Sequence, residues 1–239
     1  MKVTRAMVLA AGMGRRMLPL TETTAKPLIT VQGKALIDYA LDRMADNGVE
    51  RAVVNVHHFA DKIEAHLAQR TAAPAVDISD ERDGVLETGG GLVRARPLLG
   101  EAPVFVTNTD AIFRADDPAA KGFPQLTEGF DPAKEDARLL LVRKDRALGL
   151  DTAGDFHLEP DGRLRRRGAE GGAPYYYTGT QVLNPAILDG WPEEKFSLNE
   201  IWNRSLEAGR LTGAVFEGDW LHVGDPQSRD EAETRLRAA

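Results

Sequence analysis

The sequence predicts an α/β fold in three layers, with helices on both faces of a mixed, mostly parallel sheet, and three observations predict it. Short apolar runs that read as strands alternate with amphipathic helical stretches between residues 6 and 142. The first run, Ala6 to Leu9, empties into a loop of small residues, LAAGMGRRMLPL (Leu9 to Leu20), as happens where open parallel sheets bind ligands beyond their carboxyl ends. After residue 150 the texture changes to polar and apolar alternation around Asp161-Gly162, a hairpin signal. Together these describe a Rossmann-like α/β/α sandwich with a small β-hairpin elaboration, in a single domain spanning residues 1–239.

Each element has its own signal. Leu36, Ile37, Ala40, Leu41 and Met44 recur at helical spacing before Gly48, which predicts a helix over 36–47. RAVVNV (Arg51 to Val56) reads as a buried strand, followed by a helix with Phe59, Ile63 and Leu67 on one face and a strand PAVDI (Pro74 to Ile78). Leu92 is expected to start a helix that Pro97 ends. APVFVTNTD (Ala102 to Asp110) predicts a strand ending in a carboxylate, and ARLLLV (Ala137 to Val142) the next one. YYYTGTQVLN (Tyr175 to Asn184) is a further strand. Ser197 and Glu200 form a capping box before a helix that Gly209 ends, and Asp225-Pro226 caps the last helix.

Composition narrows the function classes. The 239 residues are 42% hydrophobic and 28% charged, an ordinary globular balance. A net charge of -7 lacks the broad basic field that nucleic-acid binding needs, so the arginines act locally. The absence of cysteine excludes disulfides, thiolate catalysis and cysteine-bound metal. The first apolar run is too short for a signal peptide or a membrane span, so a cytoplasmic protein without membrane or nucleic-acid partners is expected, as a monomer or small homo-oligomer.

The loop after the first strand suits phosphate. Backbone amides of Ala11, Gly12, Met13 and Gly14 can approach an anion closely, and Arg15 can reach around it with a bidentate fork. A Walker A loop would end in Gly-Lys-Ser/Thr, which is absent, and a dinucleotide fingerprint would carry a third glycine where Met17 stands. A plain glycine-rich turn with solvated arginines is the competing reading. TAKPL (Thr24 to Leu28) strengthens the phosphate reading, because Pro27 biases Lys26 toward an extended conformation and stiffens the segment.

LAAG, G-x-R-R, P-L and K-P-L, continued by LETGGG (Leu86 to Gly91), NTD (Asn108 to Asp110), YTGTQVLNP (Tyr177 to Pro185) and WLHVGDP (Trp220 to Pro226), resemble the motifs of sugar-1-phosphate nucleotidylyltransferases. The resemblance spans essentially the whole chain and is nearest to the short N-acetylmuramate-1-phosphate uridylyltransferase type. It implies a sheet of the nucleotide-diphospho-sugar transferase type, with a nucleotide-binding half at 1–110 and a sugar-phosphate half at 111–239. It further implies Arg15, Lys26 and Asp110 as catalytic groups. Leu9, Ala10, Ala11, Gly12, Met13, Gly14, Glu87, Gly89 and Gly90 would join Arg15 and Lys26 around the nucleotide, and Asn108, Asp155 and Gly179 would lie near the sugar. Asp110 would hold Mg²⁺. The family's second metal-binding aspartate falls at His222, a poor magnesium ligand, which leaves Asp225 as a candidate.

The implied reaction is attack of a sugar-1-phosphate oxygen on the α phosphorus of a nucleoside triphosphate, with pyrophosphate leaving. UTP and N-acetylmuramate 1-phosphate are the substrates that the resemblance favours. Mannose-1-phosphate guanylyl transfer is the alternative within the class, and a non-catalytic nucleotide-sugar binder the alternative outside it. For single residues the bland readings stay open: Asp110 as a loop cap, Asp225 as a helix cap, Asp155 as an exposed hairpin residue, LETGGG as a helix entry without ligand. His57 and His58 read as structural, and Arg165 to Arg167 as a solvated strand.

Overall fold

The computed structural model describes residues 1–115, 122–169 and 171–237. Its layering follows from strand alternation. Ala6 and Val8 pack with Ile37, Leu41, Met44 and Ile63 on one side, whereas Met7 between them meets Leu92, Ala95, Leu99 and Ile201 on the other. Both faces are covered, so the strands read as continuous apolar runs.

In chain order the elements are β1 (Arg5–Leu9), β2 (Thr30–Val31), β3 (Lys34–Ala35), α1 (Leu36–Asp46), β4 (Arg51–Val56), α2 (Ala60–Ala68), β5 (Ala75–Asp80), α3 (Glu87–Leu99), β6 (Val104–Asn108) and β7 (Ala111–Ala115). Then follow α4 (Pro124–Thr127), β8 (Ala137–Arg143), β9 (Ala147–Leu148), β10 (Phe156–Leu158), β11 (Leu164–Arg166), β12 (Tyr175–Leu183), α5 (Leu198–Glu207), β13 (Leu211–Val215), β14 (Gly218–His222) and α6 (Pro226–Arg237).

The main sheet runs β11-β10-β12-β6-β1-β4-β5, with β8 paired to β12 and β13 paired to β8. β6, β1, β4 and β5 are mutually parallel, and β12 is antiparallel to both β6 and β8. A register shift between Tyr177 and Gln181 lets β12 change partners along its length. The hairpin β10–β11 extends this sheet, because Phe156 pairs with Tyr175. Both caps form, though of the expected box only the Ser197 half is seen: Ser197 accepts the Asn199 N–H at 3.3 Å and Asp225 Oδ1 the Ser228 N–H at 2.8 Å.

Three local expectations are corrected. α3 begins at Glu87, so the three glycines lie inside its first turns, and Pro97 sits within the helix and does not end it. Lys26 does not extend the chain: Ala25 is the extended residue, and Lys26 opens a tight turn closed by Leu28 N–H to Ala25 O at 2.9 Å. β6 stops at Asn108, leaving Asp110 on the turn into β7.

β7 belongs to a second sheet, β7-β14-β9, that the sequence reading did not contain. Its pairing sets His222 opposite Ala111, and the Val223 N–H binds Asp110 O at 2.8 Å, so segments more than 100 residues apart in the chain come together.

Candidate active site

The carboxyl ends of β1, β4, β5 and β6 open onto a cavity of about 480 Å³. Leu9, Ala10, Ala11, Gly12 and Met13 line it from the loop after β1, Asn55 from β4, Glu81 from just past β5, and Asn108, Thr109 and Asp110 from β6 and its turn. Asn55 Oδ1 accepts the Ala10 N–H at 2.7 Å, which pins the start of the loop to the neighbouring strand.

A second hollow of about 350 Å³ adjoins the loop, bordered by Gly12, Met13, Gly14, Arg15, Arg16, Lys26 and Gly224. Gly14 is required there. Its φ of +62° lies in the left-handed region, and a Cβ on it would come within 2.9 Å of the Lys26 Cβ. Thr21 holds the turn by donating to Gly14 O at 2.9 Å.

Lys26 Nζ meets Asp110 Oδ2 at 2.6 Å, with side-chain exposures of 13% and 15%. Burial alone would push the Asp110 carboxyl up, but the Lys26 charge, followed by His222 and Arg16, outweighs it and holds the group below the usual aspartate range. Burial also pushes the His222 imidazole down, beyond what Asp110 restores. Lys26, His222 and Arg16 are thus the basic groups gathered around Asp110. Arg16 also acts on His222 and Asp225, and Arg15 is not among the leading influences on these three groups. Arg16 is thus a site residue that the sequence reading, which chose its neighbour, passed over.

A divalent ion finds one ready carboxylate here. Asp110 is ionised and borders the cavity, but among the described residues no three histidine or acidic side chains converge. Asp225 takes the capping role: its Oδ1 accepts the Ser228 N–H, and this bond is the leading reason its carboxyl lies below the usual range. His222 Nδ1 is buried and has no hydrogen-bond partner among the described residues. The donor set fits an ion that arrives bound to phosphate oxygens and adds Asp110, and it does not fit a preformed two-carboxylate cage.

Glu87 and Thr88 line the main cavity, and Glu87 holds a left-handed φ of +59° with Lys195 3.5 Å from its carboxylate. Gly89 and Gly90 are placed otherwise than expected. Both are buried under the segment before α5: a Cβ on Gly89 would lie 2.4 Å from the Phe196 ring, and one on Gly90 2.0 Å from Glu194 O. The Gly89 N–H donates to Phe196 O at 3.0 Å. These glycines bring Ser197 to the cavity edge and do not themselves border it.

Of the residues that the resemblance places near a sugar, Asn108 borders the cavity, and Gly179, at φ +82°, leaves the room its side chain occupies: a Cβ there would meet Asn108 Nδ2 at 2.8 Å. Asp155 has a structural bond, accepting the Tyr177 N–H at 3.0 Å and so tying the hairpin to β12. Arg166 is drawn away toward α5 by Asn199 and Asn203, and Arg165 pairs with Glu159. His57 Nδ1 lies 2.7 Å from Glu81 O. Thr88 lies within LETGGG but was not singled out there, whereas Asn55, Glu81 and Ser197 had no ligand motif to mark them, since their place depends on which strand ends neighbour which.

Comparison with known proteins agrees with this geometry. The nucleotidyl transferase family matches residues 5–148. The chain is 47% identical over 237 residues to an N-acetylmuramate alpha-1-phosphate uridylyltransferase of Caulobacter vibrioides, covering 98% of this chain and 97% of that protein. A protein of the same name from Neisseria meningitidis is 35% identical over 96% of each chain. Among solved structures, HddC from Yersinia pseudotuberculosis complexed with GMP-PN superposes with a TM-score of 0.77 at 21% identity, over 98% of this chain and all of that one, which shows the shared fold. With its sheet, its loop and its sequence in agreement, the chain belongs to the nucleotidyl transferase family, among the sugar-1-phosphate nucleotidylyltransferases.

Proposed function

We propose that this protein transfers the uridylyl group of UTP to N-acetylmuramate 1-phosphate, giving a UDP-sugar and pyrophosphate, with Mg²⁺ as the metal. The observation that carries the reading is the Lys26–Asp110 pair at 2.6 Å, set where the small-residue loop, the two arginines and the cavity meet. The two relatives that span the chain from end to end bear the name of this activity.

The sugar phosphate is already an anion at neutral pH, so its oxygen attacks the α phosphorus without a general base. The difficulty is bringing two anions together in line. Amides of Ala11 to Gly14 bind phosphate oxygens from the loop, and Arg15, Arg16 and Lys26 offset the charge that gathers as pyrophosphate leaves. Asp110 holds Lys26 in place and would hold the ion. Held there, the ion would supply charge neutralisation to the phosphates. Asn108, supported by Gly179, orients the sugar, and Glu87 and Thr88 bound the nucleotide. A cytoplasmic setting accords with the use of a nucleoside triphosphate; among the described residues no helix is long and apolar enough to cross a membrane.

Pyrophosphate release from UTP, GTP, CTP and dTTP, each against N-acetylmuramate 1-phosphate, mannose 1-phosphate and glucose 1-phosphate, tests the reading. Fastest turnover with UTP and N-acetylmuramate 1-phosphate is expected. Preference for GTP with mannose 1-phosphate would replace the substrates, and no turnover with any pair would favour a binding protein.

A further inference from the structure

The proposed acceptor carries two anionic groups. N-acetylmuramate differs from N-acetylglucosamine by a lactyl ether on O3, whose carboxylate is ionised at neutral pH in addition to the phosphate on C1. The cations already placed leave that second charge unanswered: Lys26 is committed to Asp110, Arg15 and Arg16 border the hollow beside the loop, and Lys195 lies 3.5 Å from the Glu87 carboxylate.

Arg166 stands on the strands that rise past the cavity. β12 runs antiparallel to β6 with Thr180 beside Thr107, so its residues before Gly179 continue beyond the carboxyl end of β6, on the side where the cavity opens. Arg166 shares a rung of the sheet with Phe156 and Tyr175, four residues past Gly179 and so about 13 Å beyond Asn108 along the strand. A sugar whose phosphate lies by Asp110 extends toward this rung. The Arg166 guanidinium lies over the Phe156 ring at 5.3 Å, with Nε donating to Asn203 Oδ1 at 3.1 Å and Nη2 to Asn199 Oδ1 at 2.9 Å. Asn199 is in turn tied to the cavity, since its backbone N–H and its Nδ2 both donate to Oγ of Ser197, which lines it. The turn of Arg166 toward α5 therefore carries it to the cavity end of that helix.

What holds Arg166 is neutral. Two amide oxygens fix the plane of the half-buried guanidinium without cancelling its charge, and it has no ion-pair partner among the described residues. Asp155 acts on it at longer range, but its Oδ2 already accepts the Tyr177 N–H at 3.0 Å. Arg165, next to it on the same strand, is by contrast paired with Glu159 at 3.0 Å. A guanidinium has five N–H donors, and the two asparagines use one on Nε and one on Nη2. The free N–H groups of Nη1 and Nη2 form the end-on fork that matches the two oxygens of a carboxylate.

We propose that Arg166 selects the acceptor by taking the lactyl carboxylate of N-acetylmuramate 1-phosphate on this fork. This deepens the proposed function and rests on it for the identity of the acceptor. A sugar phosphate without an acid on O3 leaves the fork to water and gains nothing from it. Preference among N-acetylated hexoses then comes from one side chain on the hairpin, apart from the groups that handle the phosphates.

Steady-state kinetics with UTP and three acceptors tests this: N-acetylmuramate 1-phosphate, its lactyl methyl ester, and N-acetylglucosamine 1-phosphate. In the wild type the neutral ester is expected to show a KM about 10- to 100-fold above that of the acid, the range for losing hydrogen bonds to a charged group. Arg166→Met should raise the KM of the acid by the same factor with kcat held, and leave the other two acceptors as they were. Arg165→Gln, on the outward side of the strand, is expected to change none of the three. An Arg166→Met protein that melts like the wild type and weakens all three acceptors alike, or none, overturns the proposal. If Arg166→Met does not fold, the wild type decides, since equal KM values for acid and ester overturn it. A wild type that prefers N-acetylglucosamine 1-phosphate overturns both this and the acceptor named in the proposed function, whereas a preference for the acid that survives in Arg166→Met strikes only the part given to Arg166. If no acceptor turns over, the proposed reaction falls, and calorimetric titration of the same three compounds into both proteins decides for Arg166 by the same comparison.

Discussion

Lys26 Nζ lies 2.6 Å from Asp110 Oδ2, across 84 residues of chain. The pair joins a turn after the phosphate loop to a turn after β6, and both side chains are largely buried. Removing one partner leaves a charge with neither water nor a counter-ion, a more severe change than loss of a surface pair.

Lys26→Met is therefore expected to lower kcat/KM on the order of 10²-fold, the scale of losing one preorganised donor, and stability by up to about 3 kcal/mol. Pyrophosphate release and a urea unfolding curve measure the two effects. Turnover near that of the wild type would remove Lys26 from the transition state.

Arg16 acts electrostatically on Asp110, His222 and Asp225, while Arg15 shares only the border of the adjoining hollow. Arg16→Ala is expected to reduce kcat by more than Arg15→Ala does, with roughly tenfold between them, since each tenfold corresponds to about 1.4 kcal/mol in the barrier. Steady-state kinetics on both variants checks the order. The reverse order would return the leading role to Arg15.

The ion pair also sets an acid limit. The folded state holds Asp110 below its usual range, so the protein releases this proton more readily than the unfolded chain does. The resulting stabilisation is complete above the usual aspartate range and is lost as pH falls through the depressed value. Thermal melts in a pH series should show Asp110→Asn with a shallower loss of stability on the acid side than the wild type. Equal acid slopes would mean the pair contributes nothing to folding.

Gly90 packs a backbone against a backbone, with 2.0 Å between a Cβ built on it and Glu194 O. Neither partner is a flexible side-chain end. Gly90→Ala should cost about 2 kcal/mol or more of stability, as overpacking does, and shift Ser197 from the cavity edge. Gly12→Ala, where the Cβ meets nothing within 4 Å, is the control for space, since its effect must come through the ligand. A Gly90→Ala protein as stable as the wild type would show that the 194–197 segment moves aside freely.

Much of the fold was written locally. The strand RAVVNV, the helix from Leu36, the Asp161-Gly162 hairpin and the caps at Ser197 and Asp225 each depend on spacing and on side chains a few residues apart, and the structure reproduces them. The loop of small residues after β1 was legible for the same reason, and the structure places it on the border of the cavity. Within α3, however, local signals misled: Pro97 was expected to end the helix and Leu92 to begin it, but packing of the glycines beneath Phe196 and Glu194 carries the helix back to Glu87.

What the sequence by itself determined is the alternation of strands and helices and the run of small residues and cations from Leu9 to Lys26, since these rest on neighbours in the chain. The tertiary structure alone decided that Lys26 meets Asp110, that His222 stands beside Asp110 in a sheet of its own, that Arg16 comes near enough to act on Asp110, and that Asn55 and Glu81 face the cavity. Those relations depend on which strand ends are brought side by side and on what burial does to charge once they are, and neither is encoded in the spacing of residues along the chain.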